Sequence, residues 1–189
     1  MRLLSLDAST TTVGLAVFDY TNFADKQLIH CEYYKPAKKG HIFERLAKVR
    51  DYIYSKMDTY HPDEVALEDI ILFMKGHSTA TTVSSLAVLN RTVGLAVYNH
   101  SGKPPELLNV MKIRHALKLD KTLPAKEEIP NLVAHHLKID FPWILNKKEK
   151  PIVENYDMAD AMAVGLASIK IKDVDLKSKK NYKRKRAST

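Results

Sequence analysis

An α/β fold with one mixed five-stranded sheet flanked by helices is predicted by three observations. Three short apolar runs joined by short polar turns open the chain, two long segments with helical stepping follow, and each of those is succeeded by a further strand-like run. Short connections between successive strands give an antiparallel meander. Strand-helix-strand crossovers give parallel pairing, so the sheet is mixed.

Residues 3–7 read as the first strand and residues 13–18 as the second, with Ser9, Thr10, Thr11 and Thr12 turning the chain between them. A third strand is expected over 28–34, after a polar loop. Ile42, Leu46, Val49, Ile53 and Met57 then step by three or four, the mark of an amphipathic helix. His61-Pro62-Asp63 stops it, and residues 65–68 form a short buried strand. Residues 70–79 are expected as a loop or mobile segment. Val83, Leu86, Leu89, Val93 and Val97 mark a second long helix, ended by Asn99-His100-Ser101-Gly102. Residues 106–110, after Pro104-Pro105, supply a fifth strand. A helical patch over 113–119, a helix over 129–137 and a last helix over 155–169 complete the list of elements.

At 189 residues the chain fits one ordinary domain, large enough for a core without disulfides. Cys31 is the only cysteine, so an internal bridge and a zinc-thiolate cluster are both excluded, and a reducing compartment is expected. Met1-Arg2 leads straight into a strand-like run, and no apolar stretch reaches membrane-spanning length. A soluble protein of the cytoplasm follows, with the basic tail leaving a nuclear or organellar address open.

The net charge of +8 is concentrated at one end. Residues 170–189 hold nine Lys/Arg and two Asp, whereas the body has 21 basic and 20 acidic residues. The domain boundary is therefore placed at 169, with 170–189 a basic tail expected to be disordered alone. Its composition suits phosphate attraction on nucleic acid, and a solubilising terminus is the plainer alternative.

Four acids carry the functional reading. Asp7 ends the apolar run Leu3-Leu4-Ser5-Leu6, and Glu68 ends Val65-Ala66-Leu67. A buried strand that finishes on a carboxylate presents it at the sheet edge, where ligands gather. Asp157 and Asp160 are three apart, hence on one side of a helix. Ala159, Ala161, Ala163, Gly165 and Ala167 make that helix small-sided, so it can pack closely on the sheet and bring Asp160 toward the strand ends. Taken singly, a strand-end acid can merely cap a loop, and Asp157 can simply favour a helix dipole. Gathered together, four carboxylates repel and call for protons or divalent cations. Hard oxygen donors suit Mg2+, and two ions roughly 4 Å apart can activate water and stabilise the leaving 3′ oxygen of a phosphodiester. Asp69 faces oppositely if the strand continues, and is left out.

His135 and His136 are adjacent on a helix and cannot both face one metal, which argues against a histidine site. The Thr10-Thr11-Thr12 and Ser78-Thr79 clusters have no acid-base partner and read as turn and cap residues. Lys75, Lys112, Arg114, Lys118 and Lys121 are candidates for a DNA face, although solvated surface charge is the ordinary role of any one of them.

The sequences Leu4-Ser5-Leu6-Asp7-Ala8-Ser9-Thr10, Ala66-Leu67-Glu68-Asp69-Ile70 and Asp157-Met158-Ala159-Asp160-Ala161-Met162-Ala163 resemble, in order and spacing, the motifs of the RuvC-type Holliday junction resolvases of the ribonuclease H-like superfamily. The likeness spans residues 1 to about 169. It implies a ribonuclease H-like sheet, two Mg2+ ions per site with Mn2+ as a substitute, and a homodimer making paired nicks in a four-way DNA junction. Asp7, Glu68, Asp157 and Asp160 take the metal-ligand and catalytic positions. Lys126 and Lys112 resemble basic positions near the scissile phosphate, and Phe73 an aromatic inserted at the junction crossover. Some core-like residues of the second helix, such as Leu86, Leu89 and Val93, would serve the dimer interface. Ala8-Ser9 stands where bacterial members have Pro-Gly, a departure that points to a phage, viral or organellar relative.

Three competing readings remain. A ribonuclease H-like nuclease could act on other branched DNA or on RNA–DNA hybrids. The stretch Asp7-Ala8-Ser9-Thr10-Thr11-Thr12 also resembles the phosphate-binding turn of sugar kinases and actin-like ATPases, but those enclose ATP between duplicated domains and this chain has length for one. A nonenzymatic junction-binding protein is disfavoured by acids intact at all four positions.

Overall fold

Five strands and five helices make up the chain in a computed structural model that describes residues 1–9, 11–36, 39–70 and 80–187, without the side chains beyond 178. β1 (Arg2–Ala8), β2 (Val13–Tyr20) and β3 (Lys26–Tyr34) form the antiparallel meander, and α1 (Ile42–Tyr60) crosses to β4 (Glu64–Asp69). α2 (Ala80–Ser101) crosses to β5 (Glu106–Asn109), followed by α3 (Val110–Leu117), a short 3-10 turn (Lys126–Glu128), α4 (Ile129–Leu137) and α5 (Glu154–Ala187). The sheet order is β3-β2-β1-β4-β5, with β1 parallel to β4 and β4 parallel to β5. The mixed five-stranded sheet expected from the pattern is the sheet observed.

Several of the helices have a physical start or stop. α1 begins at a capping box, in which His41 and Glu44 satisfy each other's backbone, and ends at His61 in a left-handed conformation (φ 45°). α3 is capped by Asn109, whose Oδ1 accepts from the Lys112 N–H at 2.9 Å. α5 differs from expectation at its far end, running on to Ala187 through the basic stretch set apart as a tail. Lys and Arg are good helix formers, and the Lys177–Asp173 pair at 2.8 Å supports the extension at i, i+4 spacing.

The sheet divides the core in two. α1 and α2 cover one face, burying Val49, Ile53, Leu89 and Val93 against Leu4, Leu6, Leu15 and Val17. α3, α4 and α5 cover the other, with Met158, Met162 and Leu166 against Leu3, Ala16, Phe18 and Ala66. The alternation along β1 assigns odd residues to the α5 face, and this places Asp7 there.

α5 lies unusually close to the strands. A Cβ on Gly14 would fall 2.0 Å from the Asp157 carbonyl oxygen, and one on Gly165 would fall 2.3 Å from the Phe18 ring. Ser5 Oγ, fully buried, donates to the Ala161 carbonyl at 2.8 Å and pins helix to strand. Small side chains thus do what the sequence pattern expects of them. They let the helix that carries two acids sit directly over the strands that carry the other two.

Candidate active site

The parallel register of β1 and β4 runs to Leu6 opposite Leu67, so Asp7 and Glu68 are the next residues on neighbouring strands. Both point to the α5 face, as Ser5 and Ala66 do. On the other side of β1, Asp7 is paired with Gly14, the residue over which the Asp157 backbone passes. Asp157 and Asp160 project from the first turns of α5 above these strand ends.

The acids perturb one another's ionisation. Burial raises the Asp7 pKa well above the ordinary range, and the charges of Glu68, Asp160 and Asp157 raise it further, with Lys126 opposing. Burial and the Asp160 charge push Glu68 up to about 7, against Lys126 and Arg114. Burial takes Asp160 up to about 6, where Asp157 adds to the shift and Lys126 and Arg114 resist it. Burial also raises Asp157, offset by Lys126 and by hydrogen bonds from Ser9 and Thr12. All four keep part of their surface open to solvent, as a cleft rather than a sealed core allows. Each is raised by burial first, and the network of like charges is the pattern expected at a functional site.

Two cations face this cluster. Lys126 Nζ, on the 3-10 turn, lies 3.7 Å from Asp160 Oδ2 and keeps 59 % of its side chain exposed. Arg114, on α3, acts on Glu68 and Asp160, and its Nε is buried with no hydrogen-bond partner among the described residues. Lys112 and Lys121 are exposed and Lys118 is half-buried, and among the described residues none of the three forms an ion pair with the four carboxylates. Phe73 and Lys75 lie outside the described residues. Asp69 faces the opposite way, as alternation requires, and pairs with Arg91 of α2 at 3.0 Å.

The supporting side chains were less visible in the sequence. Ser9 and Thr12, expected only to shape a turn, also hydrogen-bond Asp157. Asn90 of α2 donates to the Glu68 carbonyl at 2.7 Å and holds the end of β4. Lys35 pairs with Glu154 at the start of α5.

The donor set has the chemistry of a site for a hard divalent cation: buried oxygen donors, mutually repelling, with less positive charge than they need. Its geometry is not a closed cage. Among the described residues no group of three acidic, histidine or cysteine side chains is arranged to hold a metal ion.

The architecture has solved relatives. It matches Thermus thermophilus RuvC in complex with a Holliday junction substrate at a TM-score of 0.65 and 20 % identity, over 88 % of this chain and 91 % of that one. The fold is that of the RuvC resolvases. A second Thermus thermophilus RuvC structure matches at 0.65 and 24 % identity, over 88 % and 92 % of the two chains. The yeast mitochondrial Holliday junction resolvase Ydc2 matches at 0.66 and 13 % identity, over 97 % and 83 %. No protein-family model and no curated protein sequence matches. The RuvC-like, ribonuclease H-like fold anticipated from three short motifs is thus the fold found, at identities that speak for architecture alone.

Proposed function

We propose that this chain is a structure-selective endodeoxyribonuclease that resolves four-way DNA junctions by metal-dependent phosphodiester hydrolysis, as a homodimer making one nick per protomer. The observation that carries this reading is the meeting of Asp7 and Glu68, on adjacent strand ends, with Asp157 and Asp160 of α5, in a cleft where burial and like charge raise all four pKa values. The likeness in fold to a RuvC solved on a Holliday junction substrate supports DNA as the substrate.

Asp7, Glu68, Asp157 and Asp160 would hold Mg2+, with Mn2+ as a substitute. When bound, the metal supplies positive charge for the scissile phosphate and a water of lowered pKa. The chain's own residues do the rest. Ser9 and Thr12 hydrogen-bond the Asp157 carboxylate and favour its charged form. Lys126, exposed at the rim, would meet a phosphoryl oxygen and offset charge as the bond breaks. Arg114, whose buried Nε has no hydrogen-bond partner among the described residues, would orient the phosphate from the α3 side.

Two-fold symmetry of a junction calls for two sites, hence two protomers. Val88, Leu95 and Tyr98 leave an apolar strip exposed along α2, and a second copy is its natural cover.

The deciding experiment is cleavage of a labelled mobile four-way junction with and without Mg2+, beside a linear duplex and an RNA–DNA hybrid. Symmetric, Mg2+-dependent nicks confined to the junction are expected. Equal cleavage of the duplex, or preference for the hybrid, would replace this reading with a broader ribonuclease H-like nuclease.

A further inference from the structure

Just before α5 the chain makes an excursion that neither sheet nor carboxylates require. Residues 141–153 fold back as a small hairpin closed by the Leu145–Pro151 bridge. Within it the Asn146 N–H donates to the Lys150 carbonyl at 2.8 Å, and the Ile152 N–H to the Ile144 carbonyl at 3.1 Å. Glu149 takes the left-handed conformation at the tip, with φ 56°. One fully buried side chain ties the stem to α5. Asn155 Oδ1 accepts from the Ile144 N–H at 2.9 Å, while Nδ2 donates to the Ile144 and Ile152 carbonyls, each at 2.9 Å. Asn155 precedes Asp157 by two residues, so the anchor sits about 3 Å along the helix axis from an acid of the cleft.

The anchored hairpin bears a surface of unusual composition. Trp143 is 40 % exposed, Leu145 52 % and Val153 69 %. Lys147, Lys148 and Lys150 are exposed beside them, against one acid, Glu149. Trp143 packs on Phe141 at 4.6 Å between ring centroids and meets Tyr156 edge-on at 6.5 Å, so its orientation is held while much of its surface stays open. A fixed aromatic on one hairpin with three exposed lysines is the pairing that single-stranded and branched nucleic acids use: rings accept stacked bases, and cations neutralise phosphates. An apolar protein partner would bury three lysine charges without return, which disfavours it.

Resting on the nuclease reading above, we propose that the 141–153 hairpin is a second nucleic-acid contact, in which Trp143 stacks on the strand leaving the carboxylate cleft and Lys147, Lys148 and Lys150 hold its phosphates. Trp143 is the only tryptophan of the chain and therefore its own reporter. The full-length Asp7→Asn protein is titrated, without Mg2+, with a labelled four-way junction, following label anisotropy and tryptophan fluorescence together. Fluorescence is expected to quench along the anisotropy curve. Trp143→Ala is expected to weaken binding about tenfold, with Trp143→Phe retaining most of the affinity. The triple variant Lys147→Ala/Lys148→Ala/Lys150→Ala is expected to reduce the slope of log affinity against log salt by about two to three. Unquenched fluorescence on a bound junction, or both hairpin variants binding within twofold of the parent, overturns the hairpin contact and leaves the nuclease reading standing. A parent that binds no junction at all removes both. Conversion of a dimer to monomer by Trp143→Ala in sedimentation would make the hairpin a protein interface and overturn the proposal.

Discussion

At the near end of β4, Glu64 sits between the Lys172 ammonium at 2.5 Å and the Tyr20 hydroxyl at 2.8 Å, whereas four residues on, Glu68 of the same strand faces Asp7 and Asp160 with only Lys126 and Arg114 in opposition. Burial pushes both glutamates up. At Glu64 the hydrogen bonds from Lys172 and Tyr20 outweigh burial and hold it below the ordinary value. At Glu68 nothing does, and it rises to about 7. Glu106 repeats the satisfied pattern, accepting from Ser168 Oγ at 2.6 Å and pairing with Lys172 at 3.0 Å. One end of the sheet is thus electrostatically finished and the other is held in deficit. The first end serves stability, and the second has the perturbed ionisation expected of a functional site.

The sharpest way to break this contrast is Asp7→Asn. If Asp7 ligates the metal as proposed, cleavage of a four-way junction is expected to fall by roughly three orders of magnitude or more, with junction binding retained. Cleavage within about tenfold of wild type removes Asp7 from the chemistry. Next in size is a matched pair of lysine variants. Lys126→Ala is expected to slow cleavage by about 10- to 100-fold with little effect on melting. Lys172→Ala, at the satisfied end, is expected to leave cleavage within about twofold and to cost about 1–3 kcal/mol of stability, seen as a melting point lower by several degrees. If the two variants exchange phenotypes, the two ends have been assigned the wrong way round.

A smaller effect concerns pH without metal. Values near 7 for Glu68 and 6 for Asp160 stand above the ordinary 4.5 and 3.8. At these two groups the folded protein therefore binds more protons than the unfolded chain between about pH 4 and 7, and their contribution to stability is lost as pH rises through that window. His136, which burial holds below its ordinary value, pulls the other way. The readout is consequently a difference: in EDTA, Asp160→Asn is expected to melt higher than wild type at pH 8, with the gap closing toward pH 5. Smallest is the recovery by Mg2+, expected to raise the wild-type melting point at pH 8 by a few degrees and that of Asp160→Asn by less. No gap between the two proteins at pH 8 would deny that the cluster is under strain.

Much of this was legible in the sequence because it was local. Asp7 and Glu68 end apolar runs, Asp157 and Asp160 share a helix side, and alternation alone turned Asp69 away toward Arg91. The alanines and Gly165 of α5 announced a close helix-on-sheet contact before any coordinate. What stayed hidden depends on partners far apart in the chain. Nothing near Glu64 reveals that Lys172 closes on it across 108 positions. The hairpin before α5 owes its order to the side chain of Asn155, which pattern reading passes over because its bonds go to backbone atoms 3 and 11 residues away. Basic residues were the least legible. Arg114 and Lys126 reach the acids and Lys112 is exposed on the same helix as Arg114, a distinction set by rotation about an axis that composition does not encode.

Gly14 has the last consequence. The four acids ride on two bodies, strand and helix, and the spacing between those bodies is gauged by an atom that residue 14 does not possess: a methyl there would lie 2.0 Å from the Asp157 carbonyl. Gly14→Ala would leave every charge of the cleft in place and still lift one pair of acids off the other. An inactive variant at this position would thus be a fault of alignment, and a survey that ranked residues by lost activity would mistake a spacer for a participant.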